Sequence, residues 1–427
     1  KDEEITLKSG DKAWYTQYQA FEPQNSYTLE VRMTTVIHKD RAITLEFYSL
    51  PEYLKYWNST INKMRDSMDL FTPTILGFER NQLLMLEGGE SSNPLENDPA
   101  TTHGSGDYLV FEGLVTYNQN LEIVPALAAG WDVEEEGTVY TFHLQPNAVF
   151  HNGKPVTAAD VVYSWERAAN PDTNSDTVMT YLNDIVGVNE MREGTTDHIS
   201  GLTIIDDHTL QVTIDAPKPY FLYKLTYPTA YILDQENVET GTNWYLTPNG
   251  TGTYRLVRWD RMERKIYQRF EDYYGNKPEI ATIVYTLYTG DDFRLYEEGS
   301  VDIAGVANYN VERVSDPSEP LNKELVSGVS LCTTYIQFDV SKPPFDDVKI
   351  RQAFTMAFDK NKYLDVVLQN TTVPAKGLYP PALPGYDLNL QGYAYDPEQA
   401  LELITESKYG SVDALPEIVF TTSGYGS

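Results

Sequence analysis

Residues 139–171 hold a strand, a tight turn and a helix in immediate succession, and that run sets the fold class. Val139-Tyr140-Thr141-Phe142-His143-Leu144 reads as a strand. Asn152-Gly153-Lys154-Pro155 reads as a turn, because glycine takes positive φ and proline ends a strand ladder. Thr157 and Asp160 match a capping box at a helix start. The helix that follows carries Val161, Val162, Trp165 and Ala168 on one face. A further strand is expected at Leu210-Gln211-Val212-Thr213-Ile214. Another helix is expected near Asp346-Asp347, with Ile350, Phe354 and Ala357 on its buried face. Pro343-Pro344 fixes an extended approach to that helix, with Asp346 as its cap. Strands and helices interleave without a regular βαβ rhythm and without an internal repeat. The expected fold class is α/β, built as two lobes rather than as a barrel.

The first 80 residues read separately, as a small α+β unit. Thr28-Leu29-Glu30-Val31-Arg32-Met33 alternates and continues through Val36-Ile37. His38-Lys39-Asp40-Arg41 is a polar turn, and Ala42 to Tyr48 is a second strand. Pro51 stands where a helix can begin. Tyr53, Trp57, Ile61, Met64 and Met68 recur at helical spacing, and this face is expected to be core. Two strands and one helix make a thin fold, so the chain is expected to start inside an incomplete domain. Residues 87–107 are rich in Gly, Ser, Asn and Pro, which is linker composition. The boundary is placed near Arg80.

Charge excludes several functions. The 427 residues include 63 acidic against 32 basic side chains, a formal net charge of -31. Such a field repels nucleic acid and anionic membrane surfaces. No apolar run is long enough to cross a bilayer. The single cysteine, Cys332, can form neither an intramolecular disulfide nor a thiolate metal site. The 32 tyrosines suit both strand packing and clefts for variable ligands.

Residue patterns for catalysis are missing. Gly250-Thr251-Gly252 is followed by Thr253-Tyr254-Arg255, with no third glycine and no P-loop lysine. His103-Gly104-Ser105-Gly106 lacks the glycine spacing of a nucleophile elbow. No two of His38, His103, His143, His151, His198 and His208 stand at metal-ligand spacing on a helix. The chain is expected to be no enzyme and to carry neither cofactor nor metal. Asn58, Asn249 and Asn370 begin glycosylation sequons at a frequency close to chance.

From about Gln82 the chain resembles the family 5 extracellular solute-binding proteins of ABC transporters, most closely the oligopeptide-binding proteins. The resemblance rests on segments in matching order. Phe111-Glu112-Gly113-Leu114 precedes Val124-Pro125-Ala126-Leu127-Ala128-Ala129-Gly130-Trp131. Residues 140–171 are the most recognisable stretch. Asp207-His208-Thr209-Leu210 and Asn249-Gly250-Thr251-Gly252-Thr253-Tyr254 follow. Glu271-Asp272-Tyr273-Tyr274 departs from the usual Asn-Pro-x-Tyr-Trp. Glu298 to Ile303 and Pro343 to Ala353 complete the set. Leu45 to Leu70 faintly resembles the end of a PsbP-like fold.

The resemblance implies a two-lobed, type II periplasmic-binding-protein-like fold preceded by the small α+β fragment. It places lobe I at residues 81–115 and 221–331, an additional subdomain at 116–220, and lobe II at 332–427. It implies hinge closure on a peptide held as an added strand, with side chains in roomy wet pockets. The ligand-binding residues it implies are His103, Gly104, Ser105, Tyr181, Thr251 and Tyr335. His103 stands where the oligopeptide binders have an acidic residue. The implied partners are a peptide and the permease subunits of an ABC transporter, with no nucleic acid. The implied location is extracytoplasmic: periplasmic, at the cell surface, or lipid-anchored through an anchor outside this chain. The family chain continues past Ser427, and that continuation would grip the peptide's amino terminus. The chain is therefore expected to be a fragment that alone binds peptide weakly or not at all. Other occupants of the same fold are an oligosaccharide or a metal chelate. A cell-surface structural protein on this fold is a separate reading, and it implies self-association without a ligand.

Overall fold

The computed structural model describes residues 2–7, 12–22, 27–38, 41–67, 74–89, 97–101, 107–328, 330–381, 383 and 385–421. The chain divides into two compact units. The first holds residues 1–291 and 298–303; the second holds 292–297 and 304–427.

The first unit begins with an antiparallel meander of β1 (Asp2–Thr6), β2 (Lys12–Glu22), β3 (Tyr27–His38) and β4 (Arg41–Ser49). Two strands and their pairing were expected from the sequence; β1 and β2 extend the sheet. The tip of the expected turn, Lys39-Asp40, lies outside the described residues. Helix α1 (Pro51–Asp66) starts with Pro51 in its first turn. Its expected core face is overturned. Ile61 is buried, but Tyr53, Trp57 and Met64 are each about half exposed. The helix meets the sheet along a narrow stripe, where Arg65 lies over the Tyr15 ring at 5.1 Å. Among the described residues no further layer covers its outer side. Met68 lies outside the described residues.

Strand β5 (Leu83–Gly88) leads into the larger part of this unit. β6 (Ala128–Glu134), β7 (Val139–Leu144), β8 (Leu202–Asp206) and β9 (Thr209–Thr213) form an antiparallel sheet in the order β6-β7-β9-β8. Helix α2 (Ala158–Ala169) packs in its core, with Val161, Trp165 and Ala168 fully buried. Its capping box is present: the Thr157 N–H donates to the Asp160 carboxylate at 2.8 Å. The Trp165 indole N–H donates to the Ala230 carbonyl at 3.0 Å, so its one polar atom is satisfied inside the core.

A second sheet joins β10 (Tyr254–Asp260), β11 (Arg264–Arg269) and β12 (Thr282–Leu287) to β5. β10, β11 and β12 are antiparallel, whereas β5 and β12 run parallel, with Leu83 opposite Thr282. Val110, Phe111, Trp244, Tyr254, Tyr267 and Ile283 fill its core. Asp302 ties the ends of this layer together by accepting the Met85 N–H at 2.7 Å and pairing with Arg80.

The second unit contains α3 (Val348–Ala357), α4 (Lys360–Val366) and α5 (Pro397–Glu406). Ile350 and Ala353 of α3 pack on Ala400 and Ile404 of α5. Two expectations are corrected here. Asp347, not Asp346, caps α3 by accepting the Lys349 N–H at 2.9 Å, because the helix starts one residue later. Asp346 instead pairs with Lys408 at 2.5 Å. Ala357, the last residue of α3, is exposed; the small Ala353 makes the close approach to α5. Cys332 is free and exposed.

Candidate binding site

Two distant segments of the first unit, Leu109-Val110 and His151, converge on Gly250-Thr251-Gly252. The Gly252 N–H donates to the Val110 carbonyl at 2.7 Å, and the Tyr254 N–H to the Leu109 carbonyl at 2.9 Å. On the other side, the His151 N–H donates to the Gly250 carbonyl at 2.9 Å. The His151 ring Nε2 lies 2.9 Å from the Gly252 carbonyl, as a donor to it. A Cβ at Gly250 would stand 2.0 Å from the Val110 oxygen, so only glycine permits this approach. Thr251 is held between the two glycines with no exposed surface. Its hydroxyl is buried without a hydrogen-bond partner among the described residues.

Two carboxylates flank the 109–110 segment. Asp107 accepts the Tyr267 hydroxyl at 3.0 Å. Burial pushes its pKa up to about 6, against the opposing pull of Lys265. Glu112 accepts the Tyr273 hydroxyl at 2.6 Å and the Tyr274 hydroxyl at 3.3 Å. Burial raises it to about 7, and the two hydroxyls restrain the rise. Burial also raises Tyr231 and Tyr285 to about 12. The result is a tyrosine-rich wall whose carboxylates are neutralised at mild acidity. Sequence reasoning quoted Glu112 and Tyr273-Tyr274 in separate motifs but did not bring them together.

His151 also borders a polar cleft with Asn152, Asp234, Glu236, Asn237 and Asn249. Its ring packs edge-on against Phe270 at 4.9 Å, and burial lowers its pKa to about 4, so it is neutral. Lys154 bridges Asp234 at 2.7 Å and Asp160 at 3.2 Å. Burial disfavours its ammonium, but the two carboxylates hold its pKa above the ordinary value. Among the described residues no group of three or more His, Cys, Asp or Glu side chains could hold a metal ion.

The expected ligand residues are distributed as follows. Tyr181 stacks flat on Tyr227, with ring centroids 3.6 Å apart and planes 5° apart. Burial pushes its hydroxyl up to about 12. Thr251 sits in the glycine clamp of the same unit. Tyr335 belongs to the second unit, where 64% of its surface is exposed. His103, Gly104 and Ser105 lie outside the described residues. Nearby, Asp98 is buried and held by Arg167 through two contacts of 3.0 and 2.5 Å.

This arrangement offers hydroxyls, amides and aromatic faces. Comparison with known proteins agrees with the fold. The profile of the bacterial extracellular solute-binding proteins, family 5 (middle), matches residues 122–427. The chain is 32% identical over 334 residues to the dipeptide-binding protein of Escherichia coli K12, covering 74% of this chain and 61% of that protein. It is 32% identical over 318 residues to the periplasmic oligopeptide-binding protein OppA of the same organism, covering 70% of this chain and 57% of OppA. This chain thus spans about three fifths of the length of these relatives. Among solved structures, the murein tripeptide binding protein MppA of Escherichia coli superposes with a TM-score of 0.66 at 26% identity, over 77% of this chain and 67% of MppA. Haemophilus influenzae OppA, in complex with the peptide RPPGFSPFR, gives a TM-score of 0.63 at 26% identity, over 77% and 67%. With the profile covering most of its length and the fold shared, the chain belongs to the family 5 bacterial extracellular solute-binding proteins.

Proposed function

We propose that this protein captures extracellular oligopeptides and delivers them to the permease subunits of an ABC transporter. One observation carries the reading: the relatives at 32% identity are named for dipeptide and oligopeptide binding. The protein acts as a binder, not as an enzyme, and works outside the cytoplasm, in a periplasm or held at the cell surface by a lipid anchor. His103, Gly104, Ser105, Tyr181, Thr251 and Tyr335 are its proposed ligand contacts. Thr251 has the best physical support, since a buried hydroxyl without a partner gains most from a ligand's hydrogen bond.

Thermal unfolding against a random peptide library, with a panel of oligosaccharides and metal chelates beside it, tests this. A ligand that binds only the folded state raises the midpoint by mass action, by about 2.7 kcal/mol at one hundred times Kd. A rise with peptides supports the reading. A rise only with sugars or chelates keeps the fold and replaces the substrate. No rise with any of them, together with self-association, favours a structural role.

A further inference from the structure

The β10–β11 hairpin departs from the charge of the rest of the chain. Residues 81–150 contain eleven Asp and Glu and no Lys or Arg. Residues 254–269 contain Arg255, Arg258, Arg261, Arg264, Lys265 and Arg269 against only Asp260 and Glu263. Strand register sorts them. Arg255 stands opposite Gln268, Arg258 opposite Ile266, and Asp260 opposite Arg264. Arg255, Arg258 and Arg264 therefore share one face with a single carboxylate. Asp260 draws Arg258 to 2.8 Å and Arg264 to 3.5 Å. Glu263 also reaches Arg264, at 3.5 Å, so across the hairpin two carboxylates face five arginines and one lysine. Buried donors without a hydrogen-bond partner among the described residues cluster here too: Arg255 Nε and Trp259 Nε1.

The tip adds a second character. Arg261 and Lys265 lie over the Trp259 ring at 5.3 and 4.1 Å. Met262 is 61% exposed and Val257 45%. The Leu287 N–H donates to the Glu263 carbonyl at 2.8 Å, which brings the next residue, the half-exposed Tyr288, beside the tip. Arginine interleaved with an indole, a phenol and flexible apolar side chains suits the headgroup region of a bilayer, where phosphates meet acyl chains. An acidic polypeptide would use the guanidinium groups but not the apolar tip.

We propose that this hairpin docks the protein on an anionic bilayer surface. The net charge of the whole chain does not prevent this. Screening confines the membrane's field to about 8 Å at physiological ionic strength, so the lipid senses only the element nearest to it. The acidic remainder is repelled, which leaves the hairpin as the preferred point of contact. The proposal is independent of the ligand.

The test is co-sedimentation of the protein with vesicles of phosphatidylcholine alone and of equimolar phosphatidylcholine and phosphatidylglycerol. Binding is expected to the mixed vesicles only, and to fall as salt rises. R258E/R261E lowers the affinity by roughly twenty-five-fold or more, at about fivefold for each positive charge removed near the surface. R258K/R261K retains it, and K342E, an exposed change in the second unit, leaves it unaltered. Thermal melts confirm folding, and peptide-dependent stabilisation in R258E/R261E separates this proposal from the peptide reading. No preference for anionic vesicles overturns the proposal. Full binding by R258E/R261E overturns it as well. Capture by polyglutamate but not by vesicles replaces the membrane with an acidic polypeptide.

Discussion

Replacing Lys154 by methionine keeps the aliphatic stem and deletes the ammonium that joins Asp234 to Asp160. The two carboxylates have side chains only 1% and 7% exposed, so neither can turn to solvent for compensation. Removing one partner of a buried pair typically costs 3–5 kcal/mol. Each carboxylate retains a donor on its second oxygen: Asn249 for Asp234 and Thr157 for Asp160. The expected loss is therefore at the lower end, about 3 kcal/mol. Urea unfolding followed by tryptophan fluorescence reads this in the right place. All the tryptophans lie between Trp14 and Trp259, within the first unit. The midpoint falls on the order of 1 M. Lys154→Met/Asp234→Asn regains much of the loss, because it removes one of the two stranded charges. A deficit below about 0.5 kcal/mol, as for a surface pair, refutes the argument. So does a double variant no better than the single one.

Gly250→Ala forces a Cβ against the Val110 carbonyl and is expected to cost about 3 kcal/mol, whereas Gly89→Ala, which meets nothing, is nearly neutral; urea midpoints compare the two. Glu112, raised from 4.5 to about 7, binds its proton more tightly in the folded state. Its contribution is therefore complete below pH 4.5 and is lost as pH climbs to 7, and Glu112→Gln removes that slope from a plot of stability against pH. Thr251→Val removes a buried hydroxyl without a partner, so melting is unchanged or rises by about 1 kcal/mol in stability. If Thr251 contacts peptide, the same variant loses peptide-dependent stabilisation.

Local signals were readable in the sequence where one segment carried the whole message. Val139–Leu144 and Thr209–Thr213 are strands, and they pair with each other. The Thr157–Asp160 box and the Asn152–Pro155 turn stand as their residue types dictate; the Phe150 N–H closes that turn on the Lys154 carbonyl at 2.8 Å. Periodicity failed where it had to predict coverage. Tyr53, Trp57 and Met64 do form one face, but a repeat cannot say whether another layer lies over it. Long-range pairing was equally hidden. Glu112 and Tyr273 are 161 residues apart, and neither segment has a pattern that names the other. Thr251 was legible as a candidate only through its motif; its burial and unsatisfied hydroxyl follow from glycines on either side meeting residues far away in the chain.

The parallel pairing of β5 with β12 sets an order of events during synthesis. Leu83 cannot find Thr282 until nearly two hundred more residues have been made. The β1–β4 meander needs only neighbours in sequence. Closing a loop of that length is slow compared with forming hairpins. The edge of β5 thus stays open, with its backbone groups unpaired, for most of the time that the chain takes to emerge. A protein built this way is most vulnerable to wrong strand partners before its second sheet closes, and a factor that shields residues 83–88 over that interval would raise the yield of the folded protein.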